Sequence, residues 1–245
     1  MRIAVAGGTG VLGRHVVAAL ERAGHEPVVI ARSRGIDLTT GAGLTDALSG
    51  VDAVVDASNV TTARGSVARR FFETVTTNLI AAAREAGVGH LVVVSIIGID
   101  RVPYGYYRAK ERQEELLRAA PIPVSILRAA QFHDFPGQLL ARLPGPVAVI
   151  PRWQVQPVAA SEVGVALADL ASGDPVPTSE MAGPEVTRMA DLVRRLLRAE
   201  GSRKPVLEFR APGGMGRAAA AGGNLPTGEV RLGEQTFNEW LASRS

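Results

Sequence analysis

The sequence predicts an α/β fold built on a doubly wound, mostly parallel sheet. Two observations carry that prediction. Short, wholly apolar runs recur through the first half of the chain, and stretches with helical spacing separate them. Strands that are apolar throughout, rather than alternating, are buried on both faces. Repeated strand–helix–strand spacing with such strands is the pattern of a parallel sheet with helical crossovers.

The elements follow in order. Residues 3–6 read as a buried strand and 11–23 as a helix ending at Gly24, with a second strand over 26–31. A short third strand is expected over 36–38, a short helix over 44–48 and a fourth strand over 52–57. A long helix over 67–86 stops at Gly87, a residue that takes the left-handed conformation helix ends favour. A fifth strand over 90–95, a helix over 105–120 stopped by Pro121, and a sixth strand over 124–128 complete the regular half.

The second half is less periodic. Pro136, Pro144, Pro146, Pro151 and Pro157 break residues 136–157 into short extended pieces. Residues 161–171 and 187–200 read as helices, the first with Ser161 as its N-cap. Residues 211–228 are rich in Gly and Ala without periodicity and read as a mobile loop or lid. Residues 237–241 close the pattern as a short helix. With no repeat and no linker, the expectation is one domain, with its core over about 1–135 and a small substrate-side cap over about 136–245.

Composition narrows the classes. The 245 residues are 46% apolar and 21% charged, which is ordinary for a folded globular chain. Cysteine is absent, so disulfides, thiolate metal sites and a cysteine nucleophile are excluded. A reducing, cytoplasmic setting is the expectation. Net charge is only +3, and the densest basic pairs (Arg69 with Arg70, Arg194 with Arg195) fall inside amphipathic helical patterns. That argues against a nucleic-acid partner, which would want a basic face. No apolar run reaches the ~20 residues a membrane span needs, so no membrane association is expected. The four histidines are not spaced as metal ligands. Neither a nucleophile elbow nor a P-loop is present. A small-molecule substrate is the expected partner.

The first strand runs into Gly7, Gly8, Thr9, Gly10, Val11, Leu12 and Gly13, then into a helix. The glycines fit both G-x-G-x-x-G and G-x-x-G-x-x-G. Such a turn lets a pyrophosphate approach bare backbone and lets the helix pack closely on the strand. The phosphates then meet free N–H groups at the positive end of the helix. The second strand ends at Ala31, and the next residues are Arg32, Ser33 and Arg34. The carboxylate that holds an NAD ribose is missing there. Guanidinium is instead a natural bidentate partner for a 2′-phosphate. The reading is NADP(H), with NAD(H) disfavoured. Asp37 and Leu38 are candidates for the adenine side, and Ala57 and Ser58 for the adenosine.

Tyr106 and Lys110 are four residues apart and share one helical face. A nearby ammonium favours phenolate, so such a tyrosine can pass a proton to or from a carbonyl oxygen. The chain has 27 basic residues, of which only Lys110 and Lys204 are lysine. Random placement of its three tyrosines and two lysines gives about 0.02 pairs at this spacing. Tyr104 and Tyr107 have no lysine at that offset and read as packing or pocket residues.

These features together resemble the short-chain dehydrogenase/reductase superfamily. The nearest branch is the atypical NAD(P)H-binding one with NmrA-like and isoflavone-reductase-like members. The carriers are the glycine turn, residues 50–56, residues 87–95, Tyr106 with Lys110, residues 126–133 and residues 155–158. The resemblance implies a Rossmann-type fold over the whole chain, strongest over 1–135. It also implies a Ser–Tyr–Lys set in which Ser95 is the serine, and pocket roles for Gln131, Phe132 and His133. The expected activity is NADP(H)-dependent oxidoreduction of a small, fairly apolar carbonyl or quinone. The alternatives are a non-catalytic redox sensor, and an isomerase, cyclase or lyase on the same fold.

Overall fold

The computed structural model describes residues 1–244. Its elements, in chain order, begin with β1 (Arg2–Ala6), α1 (Val11–Arg22), β2 (Glu26–Ile30), a 3-10 turn (Arg32–Arg34) and α2 (Leu44–Ala47). Next come β3 (Ala53–Asp56), α3 (Gly65–Ala86), β4 (His90–Ile96), α4 (Gly105–Arg118), β5 (Val124–Ala129) and α5 (Phe135–Leu140). Then follow β6 (Ala148–Pro151), β7 (Gln154–Val155), α6 (Ala160–Ser172), β8 (Thr178–Ala182), β9 (Thr187–Arg188) and α7 (Met189–Ala199). The last are β10 (Val206–Phe209), α8 (Gly213–Ala220), β11 (Arg231–Leu232) and α9 (Phe237–Ala242).

The elements sort into two compact units. The first holds Met1–Ser95, Gly105–Arg128 and Ser161–Ser179. Its strands run in the order β5-β4-β3-β1-β2, with β1 parallel to both β2 and β3, and β3 parallel to β4. Every residue of β3 is buried, and so are Ile3, Ala4, Val5 and Ala6 of β1. Strands shielded on both faces are what the unbroken apolar runs predicted. The α/β class and the parallel, Rossmann-type sheet are thereby established. Helix α1 turns Leu12, Val16, Ala19 and Leu20 inward, and α3 does the same with Phe72, Val75, Leu79 and Ala83.

Register positions the loops. Ala6 pairs with Ile30 on one side and with Asp56 on the other. Strands β1, β2 and β3 therefore end level, and the segments after Ala6, Ile30 and Asp56 leave the sheet side by side. Crevices at the carboxyl edge of such sheets are where ligands bind.

The second unit holds Ile96–Tyr104, Ala129–Ala160 and the chain from Glu180 on. It contains the parallel pair β6–β10 and the antiparallel pair β7–β9, and Arg231 of β11 lies opposite Met181 of β8. Its core gathers Ile150, Met189, Leu192, Val193, Leu196 and Phe237. Helix α9 starts with a capping box, in which the Thr236 hydroxyl accepts from the Glu239 N–H and the Glu239 carboxylate accepts from the Thr236 N–H.

Three expectations about elements need correction. The strand over 36–38 is only a single bridge between Asp37 and Ala42. Gly35, Gly41 and Gly43 all have positive φ, so the chain turns too often there to pair. Ser161 is not an N-cap, because α6 already includes Ala160. Residues 213–220, inside the stretch read as a loop, form α8. Gly216 lets that helix close on the chain leading into it, since a Cβ there would lie 2.2 Å from the Ala211 carbonyl oxygen. Among the described residues no helix is long and apolar enough to cross a membrane.

Candidate cofactor and proton-transfer site

The glycine turn is held entirely by backbone. The Gly7 N–H donates to the Ile30 carbonyl (3.0 Å), the Gly8 N–H to Val5 (3.1 Å) and the Gly10 N–H to Gly7 (2.8 Å). Gly7 has φ +75°, in the region side chains disfavour, and a Cβ there would come within 2.9 Å of the Ser58 Cα. A Cβ at Gly13 would lie 2.1 Å from the Gly7 carbonyl oxygen. Gly10 caps α1 with no side-chain hydrogen bond, and no acidic residue stands in the first turn. A helix start without carboxylates keeps its positive end open to an anion. Thr9, Gly10 and Val11 are exposed, whereas Gly8, Leu12 and Gly13 are buried.

The neighbouring segments are those that register places beside this turn. Ala57 and Ser58 are buried and press against Gly7. Arg32 and Arg34 are exposed on the 3-10 turn after β2. The Asp37 carboxylate accepts from the Thr39 hydroxyl (2.7 Å) and N–H (2.8 Å). Those two bonds, with the positive Arg32, hold it below the ordinary carboxylate range. Leu38 is buried in the cluster of Ala4, Ala6 and Ile30.

Tyr106 and Lys110 lie on the first two turns of α4. The Tyr106 hydroxyl donates to the Asn59 side-chain oxygen (2.5 Å). Lys110 is only 4% exposed. Its ammonium donates to the Val94 carbonyl (2.7 Å) and to the Gln113 side-chain oxygen. One ring serves both residues. Phe72 of α3 meets Tyr106 edge to face at 5.6 Å, and the Lys110 ammonium sits 4.6 Å from the centre of that ring. A cation over a ring face is attracted by its quadrupole.

Behind Lys110 lies a buried polar chain that sequence reasoning missed. The Gln113 amide N–H donates to Asp56 Oδ2 (3.1 Å), and Asp56 Oδ1 accepts from the Ser58 N–H (2.9 Å). Burial pushes the Asp56 carboxyl up, against the pull of Ser58, Lys110 and Gln113. Burial also pushes Lys110 down, to about 8, although the Asp56 and Glu114 charges favour its ammonium.

One turn further along α4, Glu114 is 1% exposed and is gripped by Arg128 (3.0 and 2.8 Å) and Arg118 (2.6 Å). Burial would raise its carboxyl, but Arg128, Ser95 and Arg118 outweigh that and hold it low. Ser95 is thus enclosed beside Glu114, at 2% exposure.

The other pocket candidates belong to the second unit. Gln131 is 8% exposed, and both atoms of its amide are buried without a protein partner. Phe132 is half-buried and bridges to Val158. His133 is fully enclosed, bonded through Nε2 to the Gln235 carbonyl (3.0 Å) and packed on Phe237 and Trp240.

Comparison with known proteins adds three findings. Residues 7–163 match a family model described as NAD(P)H-binding. The photosystem II assembly factor Ycf39 of Synechocystis is 30% identical over 147 residues. That match covers 54% of this chain and 45% of the relative, so the chain aligns with less than half of that longer protein. Among solved structures, the fold is similar to that of an NADPH-dependent quinone oxidoreductase from Escherichia coli (TM-score 0.72, 20% identity, 99% of each chain). It is also similar to an NAD-dependent NDP-hexosamine 5,6-dehydratase of tunicamycin biosynthesis (TM-score 0.74, 17% identity, 98% of this chain and 95% of that one).

Proposed function

The chain belongs to the NAD(P)H-binding family, and from that premise we propose that it is an NADP(H)-dependent oxidoreductase acting on a small, fairly apolar carbonyl or quinone. The observation that carries the reading is the pairing on α4 of a hydrogen-bonded phenol with a buried ammonium. Tyr106 gives the proton to the substrate oxygen, or takes it back in reverse, and the Lys110 charge favours its phenolate.

The residues fit a dinucleotide. At Gly7 and Gly13 a side chain would strike backbone, which keeps the turn tight and α1 close to it, and the exposed Thr9, Gly10 and Val11 then offer the helix start that a pyrophosphate needs. In this reading residues 7–13 hold the pyrophosphate, and Arg32 and Arg34 the 2′-phosphate. Asp37, Leu38, Ala57 and Ser58 hold the adenosine. A bound nicotinamide supplies or accepts the hydride. Gln131, Phe132 and His133 are the residues assigned to the substrate side, and Ser95 is the serine that completes the set with Tyr106 and Lys110. The quinone oxidoreductase of similar fold uses NADPH, which fits the absence of a carboxylate after β2.

The test is a fluorescence titration with NADPH and NADH, followed by a screen of small carbonyls and quinones with NADPH. Tight, NADPH-preferring binding and turnover that depends on Tyr106 support the reading. Binding of neither dinucleotide, or turnover indifferent to Tyr106, overturns it.

A second reading is a dinucleotide-binding regulator. It is favoured by the inward pose of Lys110, whose ammonium is committed to Val94 and Gln113. The cyanobacterial relative, itself an assembly factor, belongs with that reading. NADPH binding with no turnover on any acceptor would select it.

A further inference from the structure

Lys110 poses a physical problem. An ammonium at 4% exposure has lost its water, and a buried charge is costly unless it is both paired and hydrogen-bonded. The groups facing it come from every element packed on it. Strand β4 offers the Val94 carbonyl, α3 the Phe72 ring, α4 the Gln113 amide and the Glu114 carboxylate, and β3 the Asp56 carboxylate. Glu114 is already occupied by Arg118 and Arg128. Asp56 is therefore the one counter-charge among these without an arginine of its own.

Asp56 and Lys110 are joined through the Gln113 side chain. The amide nitrogen of Gln113 faces Asp56 and its oxygen faces Lys110, so the carboxylate sets which way the amide points. Both Asp56 oxygens act as acceptors, one for Ser58 and one for Gln113, which is the pattern of an ionised carboxylate. An intervening amide has a consequence that direct contact would not. A touching salt bridge would commit the ammonium to one carboxylate, whereas an amide between them supplies compensation and leaves part of the positive field available.

Resting on the proposed role of Lys110, we propose that Asp56 and Gln113 are its positioning residues: Asp56 orients the Gln113 amide, and that amide fixes the place and charge of the Lys110 ammonium for work on Tyr106. Neither residue touches the reacting atoms. The wholly buried Asp56, at the end of an otherwise apolar strand, thereby acquires a reason to be there.

The test reads Lys110 directly. The chain has two lysines, so a full-length sample labelled with carbon-13 at lysine Cε gives two titrating signals, assigned by Lys204→Arg. In the unsubstituted chain the Lys110 signal titrates well below the ordinary lysine range, at about 8. Asp56→Asn keeps the shape and removes the charge, and lowers the Lys110 midpoint by about one pH unit. Gln113→Leu lowers it too and changes the Lys110 shift at every pH, which keeps the test decisive if Asp56→Asn does not fold. Alongside, the alkaline limb of NADPH oxidation with 1,4-benzoquinone moves to lower pH in the same variants. A Lys110 midpoint unmoved in both overturns the relay, even if the melting temperature falls. Benzoquinone turnover that survives Tyr106→Phe sinks the catalytic reading instead, and leaves the lysine titration to judge the relay by itself.

Discussion

Between Ala6 and Val11 the chain is shaped by missing side chains, and along the inner face of α4 by side chains that are buried. At the glycine turn every hydrogen bond runs backbone to backbone, and an added Cβ at Gly7 or Gly13 would collide with main chain. On α4 the backbone is an ordinary helix, and the particular features are the polar groups of Tyr106, Lys110, Gln113 and Glu114. The first region can bind a ligand with atoms every residue has. The second, in the proposed function, would move a proton through specific atoms, a half-buried phenol backed by a buried ammonium. Damage to the first should therefore take stability and binding together, whereas removal of the Tyr106 hydroxyl from the second should take turnover and leave the fold standing.

The sharpest break in that contrast comes from Gly13→Ala. Its methyl would sit 2.1 Å from the Gly7 oxygen, so backbone must move. Urea unfolding should show a loss of roughly 3 kcal/mol or more, at or beyond the usual cost of overpacking, and NADPH fluorescence should show no binding. An alanine variant of wild-type stability would refute the close packing of α1 on the turn. Next in size is Tyr106→Phe. Turnover should fall by about 10²–10⁴ while urea stability and NADPH affinity barely change. A matching loss of affinity would mean that Tyr106 belongs to the binding region instead. The smallest effect belongs to the double variant Arg32→Ala with Arg34→Ala. Both side chains are exposed, and their charge-assisted bonds to a phosphate should be worth about tenfold or more in NADPH affinity, with NADH affinity unchanged. Equal losses for the two dinucleotides would assign the arginines to general attraction.

The same contrast explains what could be read in the sequence. The turn was legible because its requirement is a residue type at fixed spacing, next to a run that could only be a buried strand. Tyr106 and Lys110 were legible because four residues along one helix are neighbours. Gln113 was within reach of the same reasoning, three residues beyond Lys110 on the same stripe. Asp56 gave a fainter signal, as a charge ending a wholly apolar strand. Asn59 gave none, because it meets Tyr106 across 47 residues of chain. The strand expected over 36–38 failed because local apolar content does not reveal whether a pairing edge exists. Helix α8 was missed because Gly and Ala carry no periodicity, and close packing on Ala211 is a tertiary fact.

The approach of α3 to α4 has a consequence of its own. At their first residues the two helices touch main chain to main chain, and a Cβ on Gly65 would sit 3.0 Å from the Gly105 backbone. Tyr106 is the very next residue, and Asn59, which receives its hydroxyl, lies on the strand-to-helix connection that enters α3. The reach of the phenol is thus gauged by the thickness of two glycines. A single methyl at position 65 would act as a wedge, spreading the pair and lengthening that reach without altering any polar atom.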